Sequence, residues 1–137
     1  MKLVLKHKIS SVNETINFGK KLIEVLPKQS NLFFIQGEIG SGKTTLIKGI
    51  VNSLGIKDQI KSPTYGYKRT YDGVVHYDFF LIKKMNKKEL LSLISEDLEN
   101  NKVFVEWGNK FSKLKNSIFI NIKIIDENSR MIFVYKN

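Results

Sequence analysis

Apolar and polar positions follow two rhythms along the 137-residue chain, and the switches between them predict its elements. Leu3-Val-Leu-Lys-His is a short extended run. Val12, Ile16, Phe18, Leu22, Ile23, Val25 and Leu26 then recur at helical spacing and form one broad apolar face. Ser11, with Glu14 three residues later, reads as a capping box, and Pro27 ends the helix. Residues 31–36 are an apolar, aromatic-rich burst that predicts a buried strand stopping at Gly37. A second helix is predicted over 44–54, with Leu46, Ile47, Ile50, Val51 and Leu54 inward and Gly55 as its stop. Two further apolar runs, 74–78 and 103–106, each end on an acid, Asp78 and Glu106. Between them 86–100 reads as a helix capped by Asn86, with Leu90, Leu93, Ile94 and Leu98 inward. Residues 117–125 and 131–135 predict a hairpin that turns at 126–129.

The alternation of strands and helices predicts an α/β fold: a three-layer, P-loop NTPase-like domain on a mainly parallel sheet, closed by a C-terminal antiparallel hairpin. Residues 1–137 read as a single domain, with no repeat, linker or low-complexity stretch. The chain has no cysteine, which removes disulfides, thiolate metal sites and cysteine nucleophiles together. No apolar run approaches the ~20 residues of a membrane helix, and the first residues lack a signal-peptide pattern. A cytoplasmic, soluble protein is expected.

A net charge of +10 raises the question of nucleic acid. Nearly all of the positive charge is lysine, with only Arg69 and Arg130 as arginines, so the planar fork favoured for base and phosphate reading is scarce. A lysine-coated solvated surface explains the charge more simply than a dedicated nucleic-acid footprint.

Gly37-Glu-Ile-Gly-Ser-Gly-Lys-Thr44 satisfies G-x-x-x-x-G-K-[ST] at every fixed position, between a buried strand and a helix. Glycines let successive backbone N–H groups turn inward around an anion, and the following helix presents its positive end there. The pattern assigns the phosphates of ATP or a close relative to the loop, with Lys43 reaching the β/γ-phosphates and the Thr44 hydroxyl on Mg²⁺. Phosphoryl chemistry also needs an acid at the metal and a group that orients water. Asp78 and Glu106, both at strand ends, are the candidates, and either could be a plain surface carboxylate. Thr64, after Pro63, stands where a γ-phosphate sensor is often found, although Ser-Pro-Thr segments are more often ordinary turns.

The loop Gly37-Glu-Ile-Gly-Ser-Gly-Lys-Thr-Thr45, followed by Lys61-Ser-Pro-Thr-Tyr65, His76-Tyr-Asp78 and Val105-Glu-Trp107, resembles the TsaE family. Thr15 and Gly19 fit that family's N-terminal Thr-x-x-Leu-Gly pattern, with Phe18 in place of Leu, and Arg130 matches an arginine used near the nucleotide. The resemblance implies a small ATPase required for threonylcarbamoyl modification of tRNA adenosine, acting with the TsaB–TsaD pair and meeting tRNA indirectly. It implies that ATP or ADP is held by Thr15, Gly37, Glu38, Ile39, Gly40, Ser41, Gly42, Lys43, Thr44, Thr45, Trp107 and Arg130. Thr44 and Glu106 would ligate Mg²⁺ with Asp78 in or beside that shell, and Thr64 would face the γ-phosphate. Trp107 is equally readable as a core or interface aromatic.

The chain departs from the family pattern at Gly66-Tyr67, at Phe79 to Ile82, and at Gly108, where proline often follows Glu-Trp. Two other functions fit parts of the pattern. A small-molecule kinase would share the loop but needs lid arginines. A charge-driven nucleic-acid binder would ignore nucleotide, and no stacked-aromatic RNA motif is present. A guanine-reading Asn-Lys-x-Asp run is absent as well.

Overall fold

The computed structural model of the chain describes residues 1–57, 67–80, 85–108, 111 and 114–137. Thr64 and the rest of the Ser-Pro-Thr segment, together with Gly66, Leu81 and Ile82, lie outside the described residues.

Seven strands form one sheet in the order β1-β7-β6-β2-β5-β4-β3. In the chain they are β1 (Lys2–Ile9), β2 (Leu32–Gly37), β3 (Lys68–Tyr71), β4 (Val74–Asp78), β5 (Lys102–Glu106), β6 (Ser117–Ile124) and β7 (Arg130–Lys136). Helices α1 (Val12–Val25), α2 (Lys43–Ser53) and α3 (Lys87–Leu98) connect them. The sheet is mixed rather than mainly parallel. The pairs β2–β5, β2–β6 and β4–β5 are parallel, and β1–β7, β6–β7 and β3–β4 are antiparallel. Two things tip the balance: the N-terminal run is a full strand paired with β7, and β3 is a strand that the sequence pattern did not reveal. Its Lys-Arg-Thr-Tyr lacks an apolar face because it is a half-exposed edge.

Helices lie on both faces. Phe18, Leu22, Leu46, Ile47 and Ile50 of α1 and α2 pack with Phe33, Ile35, Ile120 and Val134 on one side. Leu90 and Ile94 of α3 pack with Phe34, Val75, Tyr77 and Val105 on the other. The central strand β2 is buried on both faces, as its unbroken Leu-Phe-Phe-Ile run requires.

Helix α1 starts on the expected cap, with the Ser11 hydroxyl accepting the Glu14 N–H at 3.1 Å. The Glu14 carboxylate accepts instead from Ser10 N–H, one residue earlier than a capping box predicts. Its buried stripe is narrower than expected: Thr15, Phe18, Gly19 and Leu22 are inward, whereas Val12 and Val25 are exposed. The narrowing follows from how closely α1 approaches α2. A Cβ on Gly49 would lie 2.3 Å from Ile16 O, and one on Gly19 would lie 2.8 Å from Leu46 O. Backbone meets backbone there, so only the residues beside the two glycines reach the core.

Helix α3 has the predicted cap, Asn86 Oδ1 accepting the Glu89 N–H at 2.8 Å. Leu90 and Ile94 are buried, and Leu93 and Leu98 pack at the margin. Among the described residues no helix is long and apolar enough to cross a membrane.

Candidate functional site

Strands β2, β4 and β5 run parallel, so their C-terminal ends gather on one edge of the sheet. The loop after β2 occupies that edge. Gly42, with φ +106°, turns the chain into α2, and no side chain caps this helix start. Its first N–H groups are therefore aimed at the loop's concavity. Gly37 is fixed for a second reason: a Cβ there would stand 2.4 Å from Ser41 Oγ. Ser41 is buried, and its hydroxyl has no hydrogen-bond partner among the described residues.

Lys43 is folded back over its own loop. Its ammonium donates to Gly37 O at 2.7 Å and to Glu38 O at 3.1 Å, and it sits 4.4 Å from the centre of the Trp107 ring. Burial lowers the Lys43 pKa below its ordinary value, and the nearby Glu106 and Asp78 carboxylates oppose that shift.

Asp78 and Glu106 are direct neighbours across the β4–β5 pair. Asp78 Oδ1 accepts the Phe80 N–H at 2.9 Å, a local turn that pins the carboxylate. Burial raises its pKa above its ordinary value, the Phe80 N–H counteracts this, and the Glu106 charge adds to the rise. Glu106 is almost fully buried and bonds to His76 Nε2. Trp107 follows with φ +61°, a conformation that L side chains rarely adopt, and that turn brings the indole over Lys43. Gly108 fits where it stands because a Cβ would lie 2.8 Å from Val105 Cγ1 and 2.9 Å from Phe34 Cδ1.

Two cavities flank the loop. One of about 410 Å³ is lined by Ile39, Gly40, Gly42, Lys43, Thr44, Thr45, Asp78, Phe80, Glu106 and Trp107. The other, of about 280 Å³, lies between the loop, the start of α1 and the β6–β7 turn, and includes Thr15, Ser41, Asn128 and Arg130. Arg130 ties the turn to the loop: its guanidinium donates to Gly40 O at 3.1 Å, to Asp126 O at 2.9 Å and to Ser129 O at 3.1 Å.

Apart from Thr64, which lies outside the described residues, the residues singled out in the sequence thus fall into three groups. Ile39, Gly40, Gly42, Lys43, Thr44, Thr45, Asp78, Glu106 and Trp107 share the first cavity, while Thr15, Ser41 and Arg130 share the second. Gly37 and Glu38 stand behind, contributing carbonyls to Lys43. Two residues escaped the sequence reading, His76 as the partner of Glu106 and Phe80 against Trp107, with ring centres 5.0 Å apart. The signal for His76 was there: a histidine two residues before Asp78 in an apolar strand shares its face.

A family model described as Threonylcarbamoyl adenosine biosynthesis protein TsaE matches residues 9–132. A Haemophilus influenzae protein named tRNA threonylcarbamoyladenosine biosynthesis protein TsaE is 30% identical over 122 residues, 82% of this chain and 77% of that one. An Aquifex aeolicus protein of the same name is 25% identical over 142 residues, 99% of each. The crystal structure of Bacillus subtilis YdiB is similar with a TM-score of 0.74 at 22% identity, covering 100% of this chain and 89% of that one, a likeness of fold. The family match takes in everything from the last residue of β1 to Ile132 in β7, and on that match the chain belongs to the TsaE family.

Proposed function

We propose that the chain binds ATP with Mg²⁺ on the loop between β2 and α2 and hydrolyses it slowly, as an accessory to threonylcarbamoyl modification of tRNA alongside the TsaB–TsaD pair. One observation carries the reading: Lys43 and the two strand-end carboxylates Asp78 and Glu106 converge on one cleft beside an uncapped helix start.

The donor set suits the expected occupants. No side chain caps the start of α2, and the buried Ser41 hydroxyl has no hydrogen-bond partner among the described residues. Thr44, Asp78 and Glu106 offer hard oxygens in the same cleft, the set that holds Mg²⁺. When bound, the ion neutralises charge on the phosphates. Lys43 moves from Gly37 O and Glu38 O to the β/γ-phosphates, a short swing because its ammonium already lies in the cleft. Glu106, fixed by His76, would hold the ion together with Thr44. Asp78, pinned in the same cleft by the Phe80 N–H, orients the attacking water. The cavity bounded by Thr15, Asn128 and Arg130 takes the nucleoside end.

The test is ATP hydrolysis with Mg²⁺ by the wild type and by Lys43→Ala, each with and without the TsaB–TsaD pair. Turnover that rises with the pair and disappears in the variant is expected. Tight nucleotide binding without turnover in every arm would instead make the chain a nucleotide-gated binding module.

A further inference from the structure

Part of the sheet is left open to solvent on one of its faces. Helices α1 and α2 cover the side bearing Ile120, Ile122, Ile132 and Val134, while α3 on the opposite side packs over β4 and β5. On that second side Phe119 of β6 still joins the cluster under α3, but further along the outer strands Lys6, Lys8 and Lys123 are exposed and Asn121, Met131 and Phe133 half-buried. The pairing registers arrange their side chains in rows. Lys6, Phe133 and Asn121 form one row, and Lys8, Met131 and Lys123 form the next.

Phe133 is the centre of this surface. It is half-exposed, with Lys6 Nζ and Lys123 Nζ each 5.5 Å from its ring centre. Lys6, Lys8 and Lys123 are exposed, so the ammoniums of Lys6 and Lys123 can swing off the ring onto phosphates and that of Lys8 can join them. Asn121 beside the ring offers both an amide donor and an acceptor. Asp126 at the turn, close enough to feel the Lys8 charge, is the opposing acid.

We propose that this open face binds single-stranded RNA, one base stacking on Phe133 and the neighbouring phosphates on Lys6, Lys8 and Lys123. An aromatic ring between cations on an uncovered sheet is the arrangement that single strands use, because every base has a face to stack and every nucleotide a charge to pair. An acidic peptide would satisfy the lysines but leave the ring without a flat partner. The surface also adjoins the nucleotide loop. Asn121 pairs with Gln36, the residue before Gly37, and Arg130, which opens β7, holds Gly40 O. The choice of RNA over DNA rests on the proposed place in tRNA modification, whereas the stacking surface stands on its own geometry.

Fluorescence anisotropy of the full chain with a labelled oligoadenylate of roughly ten nucleotides tests this. Phe133→Leu keeps an apolar side chain and is expected to weaken binding by about tenfold, while Phe133→Tyr retains it. Lys6→Ala and Lys123→Ala are each expected to lower the salt dependence by roughly one counterion. Removing the same charge from the other face with Lys20→Ala and Lys48→Ala serves as the control. Equal weakening by that control pair, or a Phe133→Leu protein that binds like wild type, would overturn the proposal. So would displacement of the RNA by a polyglutamate peptide of matching charge. ATP binding measured on the same variants keeps the two readings apart: a wild type that binds RNA but no nucleotide defeats only the proposed ATPase.

Discussion

His76 Nε2 lies 2.5 Å from Glu106 Oε2, and both side chains are shut off from solvent. His76 sits on β4 opposite Phe104, one strand across and two residues below the carboxylate it holds. Its other nitrogen, Nδ1, has no partner among the described residues, so Glu106 is the contact that defines the ring's place. His76→Ala would leave Glu106 buried without that partner and open a cavity beneath it. A loss of about 2–4 kcal/mol is expected. Thermal melting should show it as a drop of roughly 5–15 °C. An unchanged melting temperature would mean that water replaces the imidazole without penalty.

Asp78 carries a pH signature. Its folded-state pKa is raised, chiefly by burial, above the unfolded value of 3.8. The charged carboxylate therefore costs stability at neutral pH, and that cost is relieved as pH falls through the raised value toward 3.8. Asp78→Asn keeps an oxygen to accept the Phe80 N–H and removes the charge. The variant is expected to melt higher than wild type at pH 7, with the gap closing toward pH 4. Its Mg²⁺-dependent hydrolysis is expected to fall by about 10²–10⁴-fold. A gap that widened on acidification would reverse the assignment.

The same two acids show how far the sequence carries. Their positions at the ends of short apolar runs put them on one sheet edge, because parallel strands align their C-termini, and the structure has them side by side. By residue type Trp107 was only an aromatic next to an acid, and the family resemblance alone put it beside the nucleotide. Its contact with Lys43 depends on a positive φ, and no pattern of residue types announces that conformation. Strand β3 was hidden for a different reason: an edge strand with one neighbour needs no apolar alternation. The breadth of the α1 face was overread because periodicity reports which residues could be buried. The glycine contacts that decide which ones are buried lie in the partner helix.

Gly49 should tolerate no side chain. Alanine is the better helix former by ~1 kcal/mol, so propensity alone predicts that Gly49→Ala stabilises α2. A Cβ 2.3 Å from Ile16 O prevents that gain, since the obstructing atom is backbone and the helices must part. A net destabilisation of about 1–3 kcal/mol is expected in urea unfolding. Separation of α1 would also draw Thr15 away from Gly42, so nucleotide affinity should fall together with stability.

Arg130 acts differently, as a brace at the surface. Its guanidinium spans carbonyls of the β6–β7 turn and of Gly40, a reach that needs a planar fork. Arg130→Lys should therefore behave like Arg130→Ala in nucleotide titrations, each weakening binding by roughly 3- to 12-fold, equivalent to about 0.7–1.5 kcal/mol. Thermal stability should change little, because the bonds to Gly40 and the turn are largely exposed. Full rescue by lysine would show that charge alone is being used.

Trp107 makes the site its own reporter. It is the chain's one tryptophan, and its ring faces the Lys43 ammonium at 4.4 Å. A cation held that close over an indole perturbs its emission, and the attraction is worth about 1–2 kcal/mol when partly desolvated. Phosphates that draw Lys43 off Gly37 O and Glu38 O must also draw it off the ring, since one ammonium makes all three contacts. Titration with ATP should change the Trp107 emission in the wild type. Lys43→Ala should begin at an altered baseline and show a much smaller response. If the wild-type signal stayed flat while an independent binding measurement showed nucleotide bound, Lys43 would have kept its place on the loop, and the proposed swing to the phosphates would be wrong.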